Sequence, residues 1–196
     1  MADPGTAHGS RGSMVTWGRI ARRIRVPLGF VFAAFYLWRA HPTWPYFIIG
    51  TVSVGLGVFV RAMASGHVRK NQQLAQSGPY AYVRNPLYLG SVVIALGFVV
   101  AARDLWIAVV LLLMLGLIYL PVIRSEEAYL RSRFPQYESY ARRVPRLLPR
   151  RVSLSGITSD FSRELYLLHR EYNAVLGAVA ILAALAVKIL WFTRTT

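Results

Sequence analysis

Residues 85–127 read NPLYLGSVVIALGFVVAARDLWIAVVLLLMLGLIYLPVIRSEE. This stretch holds two apolar runs, Leu87 to Ala102 and Leu105 to Ile123, separated only by Arg103-Asp104. At about 1.5 Å per residue, each run is near the length that crosses a thin bilayer as a helix. Because the turn is so short, the two runs are predicted to form an antiparallel helix hairpin. The polar segments at its open ends are therefore expected to lie together on one membrane face.

The composition of the whole chain agrees with a membrane location. Hydrophobic residues make up 55% of its 196 residues, and the mean hydropathy is +0.41. These residues cluster in runs, which is typical of a polytopic membrane protein and not of a soluble domain. We predict an all-α integral membrane protein with about five transmembrane helices: Val26 to Trp38, Trp44 to Ala64, Leu87 to Ala102, Leu105 to Ile123 and Ala174 to Phe192.

The predicted spans divide the chain into five parts. A basic, partly disordered N-terminal segment (1–25) is followed by N-terminal transmembrane helices (26–64), a half that contains the hairpin (65–150), a cytoplasmic linker (151–173) and a C-terminal transmembrane helix (174–196). The start of the chain is small and polar and lacks the apolar core of a signal peptide. Either Met1 or Met14 can be the natural start.

Basic residues are distributed unevenly between the loops. The formal net charge is +15, and 19 of the 23 Lys and Arg residues fall in the N-terminal segment, between Arg61 near the end of the second predicted span and Arg84, and between Arg124 and Arg170. The positive-inside rule then places the N-terminus and both loops in the cytoplasm. A membrane protein with basic cytoplasmic loops suits anionic headgroups, and nucleic acid is not expected as a partner.

The first polar segment, Gly78 to Gly90, contains a helix-start signal. Asn85 can cap free backbone donors with its side chain, and Pro86 fits the first helical turn. The helix start directs free N–H groups and a positive dipole end towards the cytoplasm, where a carboxylate or phosphate is stabilised. Tyr80 and Tyr88 supply flat surfaces for stacking. Alternatively, these tyrosines form only an interfacial aromatic belt.

The second polar segment begins directly after the fourth predicted span. It contains Arg124 and the adjacent acids Glu126 and Glu127. Charges so close to hydrocarbon are costly and tend to be functional. A carboxylate can hold a cationic or hydroxyl-bearing ligand, and an arginine can pair with an anionic one. Alternatively, these residues only solubilise a surface helix.

Taken in order, these motifs resemble a known family. The chain resembles the isoprenylcysteine carboxyl methyltransferases, which are related to phospholipid methyltransferases, in residues 77–90, in the sequence EEAYL at 126–130, and in Phe134, Tyr137, Tyr140, the sequence VPR at 144–146 and Pro149. The resemblance covers about residues 64–150 and implies S-adenosylmethionine bound at the cytoplasmic helix ends, with a lipid acceptor entering from the bilayer. It implies Arg124 as the substrate-side, catalytic arginine, and these cofactor contacts: Lys70, Gln72, Gln73, Leu74, Ala75, Tyr80, Asn85, Pro86, Leu87, Tyr88, Glu126 and Glu127.

The chain departs from the family pattern at three places. Asn85 stands where the family has a histidine, and asparagine cannot carry a proton near neutral pH, so a histidine base is excluded there. Arg124 lies closer to the acids than in the animal enzymes. The span from Ala174 to Phe192 has no counterpart that we can place.

Methyl transfer from a sulfonium requires little chemistry from the protein. It is an in-line displacement that depends mainly on positioning, and it needs neither a metal nor a covalent nucleophile. The chain has no cysteine, which excludes thiolate chemistry. A carboxylate acceptor is already nucleophilic, and we therefore favour a lipid or prenyl-type carboxylate. The alternatives are a phospholipid amine, a phenol or quinone-like acceptor, a membrane reductase that uses NADPH, and a non-catalytic protein that binds anionic lipid. The oligomeric state is not readable from the sequence.

Overall fold

The computed structural model describes residues 27–69, 72–149 and 161–195. Within these ranges the chain is helical and has no strand, so the predicted all-α class is confirmed there. A short 3₁₀ turn occupies Gly78–Ala81. The helices of the described part are α1 (27–39), α2 (Trp44–Ser65), α3 (Pro86–Ala102), α4 (Leu105–Arg133), α5 (Tyr137–Arg143), α6 (Arg163–Leu168) and α7 (Tyr172–Thr195).

Three of the described helices, α2, α4 and α7, are long and apolar enough to cross a membrane. The equally apolar α3 has 17 residues and falls short of that length. The predicted first span is described only from residue 27 onwards, so the count of five spans stays a prediction. The predicted segment 1–25 and residues 151–160 of the predicted linker lie outside the described residues.

The surface of the helices is strongly apolar. Leu105 is 79% exposed, Phe30 75% and Trp38 74%. Water would penalise such a surface, whereas lipid tails are as apolar as these side chains. The exposed faces of the helices therefore fit a bilayer as their solvent.

The predicted two-residue turn between α3 and α4 is confirmed. Arg103 adopts a left-handed conformation with φ of 52°, and its N–H donates to the carbonyl of Val99 at the end of α3. The Asp104 side chain then accepts a hydrogen bond of 3.1 Å from the N–H of Ile107 and caps the start of α4. The two apolar runs thus reverse direction as the sequence predicts.

Along its length, however, α3 packs mainly on α2. A Cβ added to Gly57 would lie 2.6 Å from the carbonyl oxygen of Gly90, and one added to Gly50 would lie 2.5 Å from that of Gly97. Only glycine permits this approach of the two backbones, which is the usual means of packing helices in lipid. The Ser53 hydroxyl adds a hydrogen bond of 3.1 Å across the same contact. This glycine seam fixes where the start of α3 lies.

Polar contacts hold α7 against the rest of the fold at both of its ends. At one end Glu171, directly before α7, forms an ion pair with Arg61 of α2 at 2.8 Å. At the other end Lys188 Nζ donates to the carbonyl of Leu37 at 2.8 Å and so caps the last turn of α1. The helix after the motif-bearing half is therefore an integral part of the bundle.

Candidate functional site

A cavity of about 430 Å³ lies where the start of α3 meets the end of α4 and α5. This volume is within the range of small-molecule sites. Its lining combines aromatic rings, two arginines and one carboxylate. The described residues that line it are Val68, Arg69, Gln73, Leu74, Ala75, Tyr80, Arg84, Asn85, Pro86, Leu87, Tyr88, Glu126, Tyr129, Leu130, Phe134, Tyr137 and Tyr140.

Most of the residues named as cofactor contacts from the sequence are brought together in this cavity. Those that line it are Gln73, Leu74, Ala75, Tyr80, Asn85, Pro86, Leu87, Tyr88 and Glu126. Gln72 is exposed beside the cavity, and Glu127 is buried behind its wall. Arg124 is exposed and lines neither this cavity nor the apolar one described below. Lys70 lies outside the described residues.

The helix start at Asn85-Pro86 is confirmed, but the expected cap is not formed by the Asn85 side chain. The side chain of Asn85 makes no capping hydrogen bond to α3. Its Nδ2 donates to Glu127 Oε1 at 2.9 Å, a hydrogen bond strengthened by the charge of the carboxylate. The amide therefore ties the start of α3 to α4.

Glu127 is the centre of a buried polar cluster behind the cavity. Glu127 is 4% exposed, and its carboxylate accepts hydrogen bonds from Arg146, the shortest at 2.6 Å from Nη2. Arg84 Nη1 lies 3.8 Å from the same carboxylate and 3.3 Å from the hydroxyl of Tyr137. Two cations and one amide thus satisfy one buried acid, and they join α3, α4 and the segment after α5.

Glu126 and Glu127 have different environments because neighbouring residues on a helix do not share a face. The side chain of Glu126 lines the cavity, whereas that of Glu127 is turned into the fold. Glu126 is therefore the carboxylate that a ligand in the cavity can reach. Glu127 is placed to hold the wall in position.

Backbone hydrogen bonds fix the wall formed by the first motif. The N–H of Arg84 donates to the carbonyl of Pro145 at 2.9 Å, and the N–H of Asn85 donates to that of Arg146 at 3.2 Å. The Tyr140 hydroxyl donates to the carbonyl of Tyr80 at 2.7 Å. The segment after α5 therefore supports the tyrosine-rich turn from behind.

Burial raises the pKa of two phenols that line the cavity. Desolvation raises the pKa of Tyr80, and the nearby Tyr140 phenol and Glu126 carboxylate raise it further. Burial likewise raises the pKa of Tyr140. Outside the cavity, the hydrogen bonds to Glu127 raise the pKa of Arg146, which stays cationic. Tyr80 and Tyr140 therefore offer neutral aromatic surfaces to a ligand in the cavity.

Several lining residues were not singled out as ligand contacts from the sequence. Phe134, Tyr137 and Tyr140 belong to the pattern that carries the family resemblance, and this was the signal available for them. Arg69 and Arg84 have no such local signal beyond their basic character. These two arginines are cationic and Glu126 is anionic, and all three line the cavity. The site can therefore accept both an anionic and a cationic group.

A second cavity of about 470 Å³ lies among the membrane helices. It is lined almost wholly by apolar side chains of α1, α3, α4 and α7, with Arg61 of α2 and Ser91 among its few polar groups. Tyr119, in the π-helical segment Leu115–Tyr119 of α4, lines it. Tyr119 also packs edge-on against Tyr88 of the first cavity, with ring centroids 5.9 Å apart. A pair of tyrosine rings thus lies between the two cavities.

The described residues form a helical protein with apolar helices of membrane-spanning length, a polar, aromatic cavity at the helix ends and an apolar cavity among the helices. Residues 45–137 match the family model of the phospholipid methyltransferases. The matched segment is therefore of the phospholipid methyltransferase type, related to the isoprenylcysteine methyltransferases, as the motifs predicted.

Three curated proteins are similar to this chain. The cobalt-zinc-cadmium resistance protein CzcN of Cupriavidus metallidurans is 38% identical over 52% of this chain and 48% of its own length. The nickel-cobalt-cadmium resistance protein NccN of Alcaligenes xylosoxydans xylosoxydans is 34% identical over 52% of this chain and 49% of its own. The protein-S-isoprenylcysteine O-methyltransferase of Schizosaccharomyces pombe is 37% identical over 41% of this chain and 34% of its own.

This chain therefore spans about half, or less, of the length of these relatives. No solved structure matches it. The shared segment supports a membrane methyltransferase and leaves its acceptor open.

Proposed function

We propose that this chain is a membrane-embedded S-adenosylmethionine-dependent methyltransferase whose acceptor is a lipid or prenyl-type carboxylate. The observation that carries the proposal is the cavity at the start of α3. It gathers the tyrosine-rich turn and Glu126 from segments that the family resemblance links to one cofactor. The phospholipid methyltransferase match over residues 45–137 supports the same reaction class.

The lining of this cavity fits S-adenosylmethionine group by group. Glu126 offers a carboxylate to the ammonium or to the ribose hydroxyls, and Arg69 and Arg84 offer cations to the carboxylate. The free N–H groups at the start of α3 also favour an anion. Tyr80 and Tyr88 provide flat faces for the adenine ring. The cavity volume suits a ligand of this size.

When bound, S-adenosylmethionine supplies an electrophilic methyl group on a sulfonium. Glu126, Arg69 and Arg84 would hold it so that an acceptor oxygen could take the methyl group, with the electron pair of the broken sulfur–carbon bond staying on sulfur. A carboxylate acceptor releases no proton in this step, so the residues of the site are required only to position the two reactants and to exclude water. Tyr88 and Tyr119, which lie between the two cavities, are placed to orient the acceptor.

The proposal is tested by incubating the purified protein with methyl-labelled S-adenosylmethionine and a whole-membrane lipid extract. Mass spectrometry then identifies the species that gain a methyl group. We expect a lipid carboxylic acid to gain it, and base hydrolysis of the product to release the label as methanol. The Glu126→Ala variant should lose the activity, whereas Glu138→Gln, on the exposed face of α5, should retain it. A label that is stable to base would indicate an amine or a phenol as the acceptor. If no lipid becomes labelled, the proposal is contradicted.

A further inference from the structure

The apolar cavity among the membrane helices carries one charged side chain among the described residues that line it. This residue is Arg61, in the membrane-spanning helix α2. A charge at such a place is costly and by default marks a functional site. The remaining lining is apolar, apart from Ser91 and the two tyrosines Tyr36 and Tyr119. The cavity therefore has the polarity of an amphiphile, with a long apolar body and a cationic end.

The guanidinium of Arg61 already holds a carboxylate in this structure. Its Nε donates to Glu171 Oε2 at 3.0 Å, and its Nη2 donates to Oε1 at 2.9 Å and to Oε2 at 2.8 Å. Its Nη1 donates to the hydroxyl of Ser91 at 2.5 Å. This fork-shaped contact is the geometry in which arginine recognises a carboxylate. Arg61 is thus oriented for a carboxylate at the polar end of the cavity.

Glu171 lies in the turn before α7 and not within the helix. The residue before it, Arg170, has φ of 52°, a conformation that residues other than glycine rarely adopt. The carboxylate therefore comes from the turn that joins α6 to α7. A side chain on such a turn can leave Arg61 without unwinding a helix.

Arg61 also lies close to the proposed cofactor cavity. Its Nη1 is 3.4 Å from the carbonyl oxygen of Leu87, a lining residue of that cavity. The charges of Arg61 and Glu171 both act on the phenol of Tyr80, another lining residue. A carboxylate held by Arg61 would therefore lie at the boundary between the two cavities.

We propose that Arg61 anchors the carboxylate head of a single-chain lipid acceptor whose hydrocarbon chain fills the apolar cavity, and that Glu171 occupies this place until the acceptor arrives. The inference rests on the proposed methyltransferase function and names the acceptor class and its anchor. Transfer of the methyl group converts the anionic carboxylate into a neutral ester. The ester no longer pairs with the guanidinium. Glu171 therefore forms its ion pair with Arg61 again, and the product is released.

The test measures the binding of tritiated palmitate and of tritiated hexadecanol to the full chain in phosphatidylcholine nanodiscs, at a pH where the fatty acid is ionised. The Glu171→Gln variant should bind palmitate about tenfold more tightly, because the internal competitor has lost its charge. The Arg61→Gln variant should bind it at least tenfold more weakly, and hexadecanol binding should not change in either. Glu138→Gln is the matched control, since it weakens the ion pair with Arg131, neither member of which lines the cavity, and it should change the binding of neither ligand.

Binding of S-adenosylhomocysteine, measured on the same samples, reports whether each variant is folded. Unchanged or weaker palmitate binding by a folded Glu171→Gln variant would overturn the inference, as would equal changes for palmitate and hexadecanol. If the variants do not fold, the unmutated protein decides: it should bind palmitate in preference to methyl palmitate, and equal binding overturns the inference. If the unmutated protein discriminates between these lipids but does not bind S-adenosylhomocysteine, the proposed function fails and the carboxylate site stands.

Discussion

Replacing Glu127 by alanine should destabilise the protein far more than loss of an ordinary ion pair. Glu127 is 4% exposed, and its carboxylate is the common partner of Asn85, Arg84 and Arg146. Its removal deprives two cations and an amide of the buried carboxylate that they share. The cluster also joins α3 to α4 and to the segment after α5, so the change acts on the whole wall of the cavity.

The magnitude follows from the burial of the partners. Breaking a buried ion pair by removing one member costs about 3–5 kcal/mol, because the remaining charge stays desolvated. The side chain of Arg146 is 43% exposed and can recover water, whereas that of Arg84 is 15% exposed. We therefore expect the lower end, about 3 kcal/mol. For a chain of this size that corresponds to a fall in Tm of roughly 6–12 °C.

The assay is thermal unfolding of the purified protein in detergent, with Glu138→Gln as the matched control. Glu138 pairs with Arg131 on the surface, where both side chains are more than half exposed. Such a pair contributes about 0–1 kcal/mol. The control should therefore change Tm by less than a third of the effect of Glu127→Ala. Equal shifts for the two variants would refute the assigned role of the Glu127 cluster.

Three further substitutions test other parts of the structure. Gly57→Val should destabilise the chain by about 3 kcal/mol, because the added side chain meets the backbone of α3, whereas Gly55→Val, which meets nothing within 4 Å, should be close to neutral in thermal unfolding. Tyr140→Phe should cost about 1–2 kcal/mol by leaving the carbonyl of Tyr80 without its donor, and a Tm equal to that of the unmutated protein would contradict this contact. Arg124→Ala should leave the affinity for S-adenosylhomocysteine unchanged in calorimetry, since Arg124 does not line the cavity; a tenfold loss would place it there.

Local signals in the sequence predicted the parts of the fold that depend on neighbouring residues. The start of α3 after Asn85 and the turn at Arg103-Asp104 follow from proline, capping and the lengths of the apolar runs, and both are confirmed. The predicted capping role of the Asn85 side chain was wrong, because this side chain binds Glu127, which lies 42 residues away. Local capping preference could not anticipate a buried acid contributed by another helix.

The remaining features depend on how helices are rotated and paired. The glycines of α2 and α3 are visible in the sequence, but their contact is set by the packing of whole helices. The rotation of α4 about its own axis decides whether Glu126 or Glu127 faces the cavity, because these two neighbouring residues point in different directions. The pairing of Arg61 with Glu171 spans 110 residues, and nothing in either local stretch indicates it.

The most direct test of the account is calorimetric titration of the unmutated protein with S-adenosylhomocysteine. We predict saturable binding at one site per chain, lost on Glu126→Ala and retained in Glu138→Gln. The absence of binding to a folded, unmutated protein, or unchanged binding by Glu126→Ala, would contradict the assignment of the cavity between the tyrosine-rich turn and α4 as the cofactor site.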